Sequence, residues 1–199
     1  MNLYFHPASP YCQKVLVALY EKGADFTAIH VNLADVDARA AYCKSINPFG
    51  KLPMLIRDDG WVVPESSIIL EYLDVHCPAE PNLIPADRDQ ARQSRFYDRL
   101  GDNYLIEAAN ELCNVHGDDA RAAVVAQAKI ALSLFEKELN NRRFLLAERF
   151  TQADIAPAIG MRHLARRGVD LAPYARISAY VERIWARPAW QKVAVEAWG

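Results

Sequence analysis

Asn47-Pro48-Phe49-Gly50-Lys51-Leu52-Pro53-Met54-Leu55-Ile56-Arg57-Asp58-Asp59-Gly60-Trp61-Val62-Val63-Pro64-Glu65-Ser66-Ser67 is the stretch that decides the fold. Asp58-Asp59-Gly60 carries the side chains and the glycine of a tight hairpin turn. The apolar runs on either side, 53–57 and 61–63, read as its two antiparallel arms. Ser66 then reads as the N-cap of a helix reaching His76, with Ile68, Ile69, Tyr72 and Leu73 at helical spacing. The stretch is therefore a strand–turn–strand–helix unit.

Upstream, residues 2–6 read as a strand ended by Pro7, and residues 10–22 as a helix stopped by Gly23. A second strand is expected over 27–31 and a weaker helix over 36–45, closed by Asn47-Pro48. The order is βαβ, then α, then ββα. A parallel pair joined to a terminal hairpin gives a mixed four-stranded sheet with helices on both faces. Downstream, Pro78, Pro81 and Pro85 punctuate a linker over 78–86. Helices are expected over 87–115, 118–141, 152–167 and 173–187, with no strand, so the rest of the chain reads as a helical bundle. Two domains follow, 1–77 and 87–199. The fold class is α/β plus all-α.

Composition narrows the function. The chain has 199 residues, 52% hydrophobic and 24% charged, with a formal net charge of -2. This gives no electrostatic footprint for nucleic acid or an anionic membrane. No signal peptide and no membrane span is read, and a cytoplasmic protein is expected. Cys12, Cys43, Cys77 and Cys113 form no C-x-x-C pair and are expected as reduced thiols. The histidines are scattered, and no metal is expected.

Three features of the first domain could carry chemistry. Ser9-Pro10-Tyr11-Cys12 lies between the first strand and the first helix. Its Ser suits the N-cap and its Pro the first helical position. A helix start stabilises an anion, a thiolate included, and a Ser hydroxyl there can donate to a bound sulfur. The plain alternative is a helix cap alone. Leu52-Pro53 opens a strand. A cis bond there would offer the Leu52 backbone to an extended ligand, whereas a trans proline would only start the strand. Glu65-Ser66 pairs a carboxylate, suited to an ammonium, with a cap suited to a carboxylate. That is the pattern of an α-amino acid head, or else of a plain cap beside a solvated Glu.

In that order along one βαβ-α-ββα unit, these features resemble the cytosolic glutathione transferases. Leu52-Pro53 falls where that family keeps its cis-Pro. Pro64-Glu65-Ser66-Ser67 is similar to its γ-glutamyl element. Thr151-Gln152-Ala153-Asp154 after Phe150 is similar to its capping box and staple in the second domain. The resemblance implies a thioredoxin-like first domain, glutathione as co-substrate and a homodimer. It implies glutathione contacts at Ser9, Lys51, Leu52, Pro53, Glu65 and Ser66, and a thiolate that attacks an apolar electrophile, with peroxidase chemistry as a side activity. Ser at position 9 is similar to tau-type enzymes, while Cys12 keeps the second cysteine position of glutaredoxin- and omega-like members. Ser9 is the expected catalytic residue, with Cys12 and Tyr4 as alternates. Tyr11, Arg95, Tyr97 and Tyr104 are the expected second-substrate side chains, Asp98 and Asp102 a solvated face, and Trp185, Trp190 and Trp198 packing for the last helices. Two alternatives stay open: a thiol–disulfide oxidoreductase using Cys12, and a non-catalytic binding or regulatory module.

Overall fold

The computed structural model describes residues 1–146 and 148–199. The chain forms two compact units, Met1–Glu80 with Lys192–Gly199, and Pro81–Gln191.

The first unit holds β1 (Asn2–Phe5), α1 (Pro10–Glu21), β2 (Thr27–His30), α2 (Val36–Ser45), β3 (Met54–Ile56), β4 (Val62–Pro64) and α3 (Ser66–His76). The sheet order is β2-β1-β3-β4, with β1 and β2 parallel and the other pairs antiparallel. Leu3 lies opposite Leu55, and Leu55 opposite Val63, so one sheet face is a continuous buried apolar row. Burying each such side chain is worth roughly 1.5–3 kcal/mol. Tyr4 alternates to the other face, where its ring centroid lies 6.1 Å from that of Tyr42 on α2. Two buried lysines, Lys14 of α1 and its C-cap Lys22, grip α3: Lys14 Nζ donates to Ser67 Oγ at 3.1 Å, and Lys22 Nζ meets Asp74 at 3.0 Å.

The second unit is helical: α4 (Arg88–Leu100), a π-helical segment (Gly101–Ile106), α5 (Glu107–Asn114), α6 (Asp118–Glu138), α7 (Gln152–Arg166) and α8 (Ala175–Trp185). The helix expected over 87–115 is thus present over residues 88–114, with a π-helical segment inside it. The wider turn falls where α7 comes closest, since a Cβ on Gly101 would lie 2.6 Å from Pro157 N. α7 is buried on nearly all sides and is the axis of this unit. Its start carries the expected capping box: Thr151 Oγ1 accepts from Ala153 N–H, and Asp154 Oδ2 accepts from Thr151 N–H at 2.9 Å. Asp154 Oδ1 also accepts from Leu145 N–H at 2.9 Å and from Tyr180 Oη at 3.1 Å. The staple residue Phe150 is buried, with Trp190 edge-on at 6.3 Å and the Arg187 guanidinium 4.3 Å above its ring.

Pro188 separates α8 from a further helix, α9 (Pro188–Trp198), and occupies its first turn, where its missing N–H costs nothing. The last residues, expected in the helical domain, belong to the first unit. Tyr20 Oη donates to Glu196, and Lys192 Nζ lies 3.8 Å from the centre of the Tyr20 ring. Trp185 and Trp190 are buried as expected, and Trp185 Nε1 donates to Ala158 O at 3.2 Å.

Candidate functional site

Strand direction brings the three features together. Tyr4 pairs with Met54, and Met54 pairs with Pro64. β1 and β4 run one way and β3 the other. The exit of β1 toward Ser9, the entry of β3 from Lys51-Leu52-Pro53, and the exit of β4 into Glu65-Ser66 therefore share one end of the sheet. α1 and α3 both begin there, so two helix N-termini with positive dipole ends converge on it.

Ser9 is the N-cap of α1, with extended backbone (φ -75°, ψ 122°) and Pro10 following. Its Oγ accepts from Cys12 N–H over a long 3.4 Å, and its hydroxyl also interacts with the Cys12 thiol. Cys12 lies in the core at 0% exposure, its Sγ taking the His6 N–H at 3.4 Å. Burial pushes its thiol up to about 11, outweighing the lowering by His6 N–H and Ser9. Burial, and then the neighbouring His30, lower the pKa of His6.

The Leu52–Pro53 peptide is cis. Ahead of it the loop closes on Asn47. Asn47 Oδ1 accepts from Phe49 N–H at 3.1 Å, and Asn47 O from Gly50 N–H at 2.9 Å. Lys51 O accepts twice, from Asn47 Nδ2 at 2.9 Å and from Tyr42 Oη at 2.8 Å. Gly50 has φ +61°, and a Cβ there would lie 3.1 Å from Cys43 Sγ, so only glycine completes the turn without strain. The Lys51 side chain is exposed and Pro53 is buried.

The α3 start differs from expectation. Ser66 is the first helical residue, not the cap. The cap is Glu65, at φ 66° and ψ 124° with no side-chain hydrogen bond to the helix. β4 runs up to Pro64, so the whole change of direction falls on Glu65. A non-glycine residue there stores about 1–3 kcal/mol of strain, a cost associated with binding sites. The first N–H groups of α3 receive no side-chain cap.

The remaining expected residues differ in burial. Tyr11 is half-buried on α1, while Arg95 and Tyr104 are exposed on α4 and the π-helical segment. Tyr97 turns into its own unit: it is 2% exposed and its Oη donates to Glu138 at 2.8 Å. Asp98 and Asp102, expected on a solvated face, are 1% and 4% exposed and continue a buried polar row from Ser94 along that helix. Tyr4 packs on Tyr42. Sequence reading missed Tyr42, Asn47 and Lys14 as supports of the site. The i, i+5 spacing of Tyr42 and Asn47 was visible, but not that both reach one carbonyl. Among the described residues no group of three or more His, Cys, Asp or Glu is arranged to hold a metal.

The family profile "Glutathione S-transferase, N-terminal domain" matches residues 3–81, and "Glutathione S-transferase, C-terminal domain" matches residues 111–188. Glutathione S-transferase 3 of Zea mays is 30% identical over 207 residues, covering 96% of this chain and 92% of that protein. The chain belongs to the glutathione S-transferase family. Glutathione S-transferase F6 of Arabidopsis thaliana is 28% identical, covering 97% of this chain and 98% of that one. Among solved structures, a glutathione S-transferase of Methylobacillus flagellatus KT with glutathione bound is 26% identical and superposes with a TM-score of 0.85, covering 96% and 98% of the two chains.

Proposed function

We propose that this family member is a Ser-type glutathione transferase in which Ser9 activates the glutathione thiol. Glutathione lies extended along Lys51-Leu52-Pro53. Its γ-glutamyl ammonium faces Glu65, and its carboxylate meets Ser66 and the open N–H groups of α3. Its thiol sits at the start of α1. There the Ser9 O–H donates to the sulfur and the helix field favours negative charge, against the desolvation that opposes it. The thiol proton leaves to solvent. The sulfur lone pair then forms a bond to an electrophilic carbon, and the leaving group departs with its bonding electrons.

The observation that carries this reading is the convergence of three loops and two helix starts at one sheet end, with Ser9 at the start of α1. Relatives named as glutathione S-transferases over nearly the whole chain support it, as does a similar structure holding glutathione. The burial of Cys12 weighs against disulfide exchange, because its thiolate is inaccessible at neutral pH. Arg95, Tyr104 and Tyr11 remain the side chains proposed to select the electrophile. A homodimer belongs to the same reading, supported by Ile68 and Val75, 52% and 73% exposed on α3. So does a cytoplasmic location; among the described residues no helix is long and apolar enough to cross a membrane.

Ultraviolet difference absorbance of bound glutathione against pH tests the mechanism. A thiolate signal titrating near 6 to 7, against about 8.5 for a free thiol, is expected. Ser9→Ala should return it toward the free value and lower kcat/KM about 10- to 100-fold. Ser9→Ala with undiminished turnover removes Ser9 from the mechanism, and no saturable signal removes glutathione.

A further inference from the structure

The Lys51 carbonyl takes two hydrogen bonds from side chains of different segments. Tyr42 Oη, from α2, approaches to 2.8 Å, and Asn47 Nδ2, from the loop, to 2.9 Å. Both donors are buried, Tyr42 at 4% and Asn47 at 7% exposure. One carbonyl has two lone pairs, so its acceptor capacity is filled and its direction fixed. The Lys51–Leu52 peptide is trans, and a trans peptide is planar with its C=O and N–H pointing opposite ways. Holding the Lys51 C=O inward therefore aims the Leu52 N–H outward. Among the described residues that N–H donates to no acceptor. It lies just before Pro53, at the sheet end where Ser9 and Glu65-Ser66 converge.

We infer that Tyr42 and Asn47 are positioning residues for glutathione, acting through the Lys51 carbonyl to present the Leu52 N–H as a fixed donor to the tripeptide's backbone. The inference rests on the glutathione reading and adds two residues outside its expected contacts. Free rotation of the 51–52 peptide would cost binding energy each time the ligand docked; two anchors on one oxygen remove that rotation before the ligand arrives. Tyr42 is itself steadied by the Tyr4 ring at 6.1 Å, which makes Tyr4 a support for this device. Burial pushes the Tyr42 phenol up to about 12, so the donor keeps its proton throughout the working range.

Calorimetric titration with glutathione and with S-methylglutathione, alongside steady-state kinetics, tests this on the full chain. Tyr42→Phe keeps the ring and removes the donor; Asn47→Asp keeps the acceptor for Phe49 N–H and removes the amide. Each variant is expected to weaken both ligands and raise KM for glutathione about three- to tenfold, the scale of one net hydrogen bond. kcat at saturating glutathione and the pKa of the bound thiol should stay close to wild type, unlike in Ser9→Ala. Lower thermal stability with unchanged Kd in both variants would make the clamp structural only and overturn the inference while leaving the glutathione reading intact. A wild-type protein that binds neither ligand overturns both.

Discussion

Three helix starts in this molecule are finished in two different ways. At Thr151 the N-cap is closed. Asp154 returns to Thr151 N–H, takes Leu145 N–H and receives Tyr180 Oη, all inside the core. At Ser9 and Glu65 the caps are left open. One makes a long contact at 3.4 Å, and the other makes none and carries a strained backbone. A closed cap spends its hydrogen-bonding capacity on stability, whereas an open cap leaves it for a ligand in the reading proposed above.

The largest effect is expected from breaking the closed cap. Asp154→Ala strands the buried N–H donors of Leu145 and Thr151, while Tyr180 Oη keeps the Asp154 backbone carbonyl at 3.2 Å, and should cost about 3–5 kcal/mol in denaturant unfolding. Ser9→Ala should cost only about 1 kcal/mol in the same measurement, its main effect being on turnover. Equal losses at the two sites would erase the distinction. The closed cap also has a pH signature. Burial raises the Asp154 carboxyl to about 6 from its unfolded 3.8, against the hydrogen bonds from Leu145, Thr151 and Tyr180. The folded state therefore holds this proton more tightly. The stability contributed through this group is complete below about pH 4, is lost as pH rises through about 6, and is level above. Asp154→Asn, which cannot ionise, should lack that decline when unfolding free energies are compared across the range.

Glu65→Gly sharpens the open side. Releasing the positive φ should leave the fold unharmed or more stable by about 1 kcal/mol, while glutathione affinity measured by calorimetry falls about tenfold with the carboxylate. Stability and binding moving the same way would contradict strain held for a ligand.

The smallest effect is expected at Cys12. Its thiol, pushed to about 11 by burial, has no thiolate at pH 7 to 8. Iodoacetamide should label exposed Cys113 and spare Cys12, as read by mass spectrometry. Cys12→Ala should leave transferase turnover within about twofold, with about 1 kcal/mol lost to the small cavity.

Much of this was legible along the chain because its causes are local. A turn such as Asp58-Asp59-Gly60, an N-cap such as Thr151 with Asp154 three residues on, and apolar spacing in α1 and α3 each act within one or two turns of backbone. They sufficed for the strand and helix order and for the three features that the strand topology brings to one end of the sheet. The misreadings came where distant segments decide. The helix expected over 87–115 carries a π-helical segment from Gly101, where Pro157 lies against it, and nothing nearby in the sequence reveals that packing. Asp98 and Asp102 were assigned to solvent from their charge alone.

The sequence by itself therefore determined the two-part architecture and the residues proposed to meet a thiol, a backbone and an amino-acid head. Only the tertiary structure decided that Cys12 is sealed in the core, that Glu65 and not Ser66 turns the chain into α3, and that Tyr42 and Asn47 share one carbonyl. The reason is physical. Capping and turn preferences are properties of a few consecutive residues, whereas burial, pKa and the direction of a peptide plane depend on neighbours brought in from elsewhere in the chain.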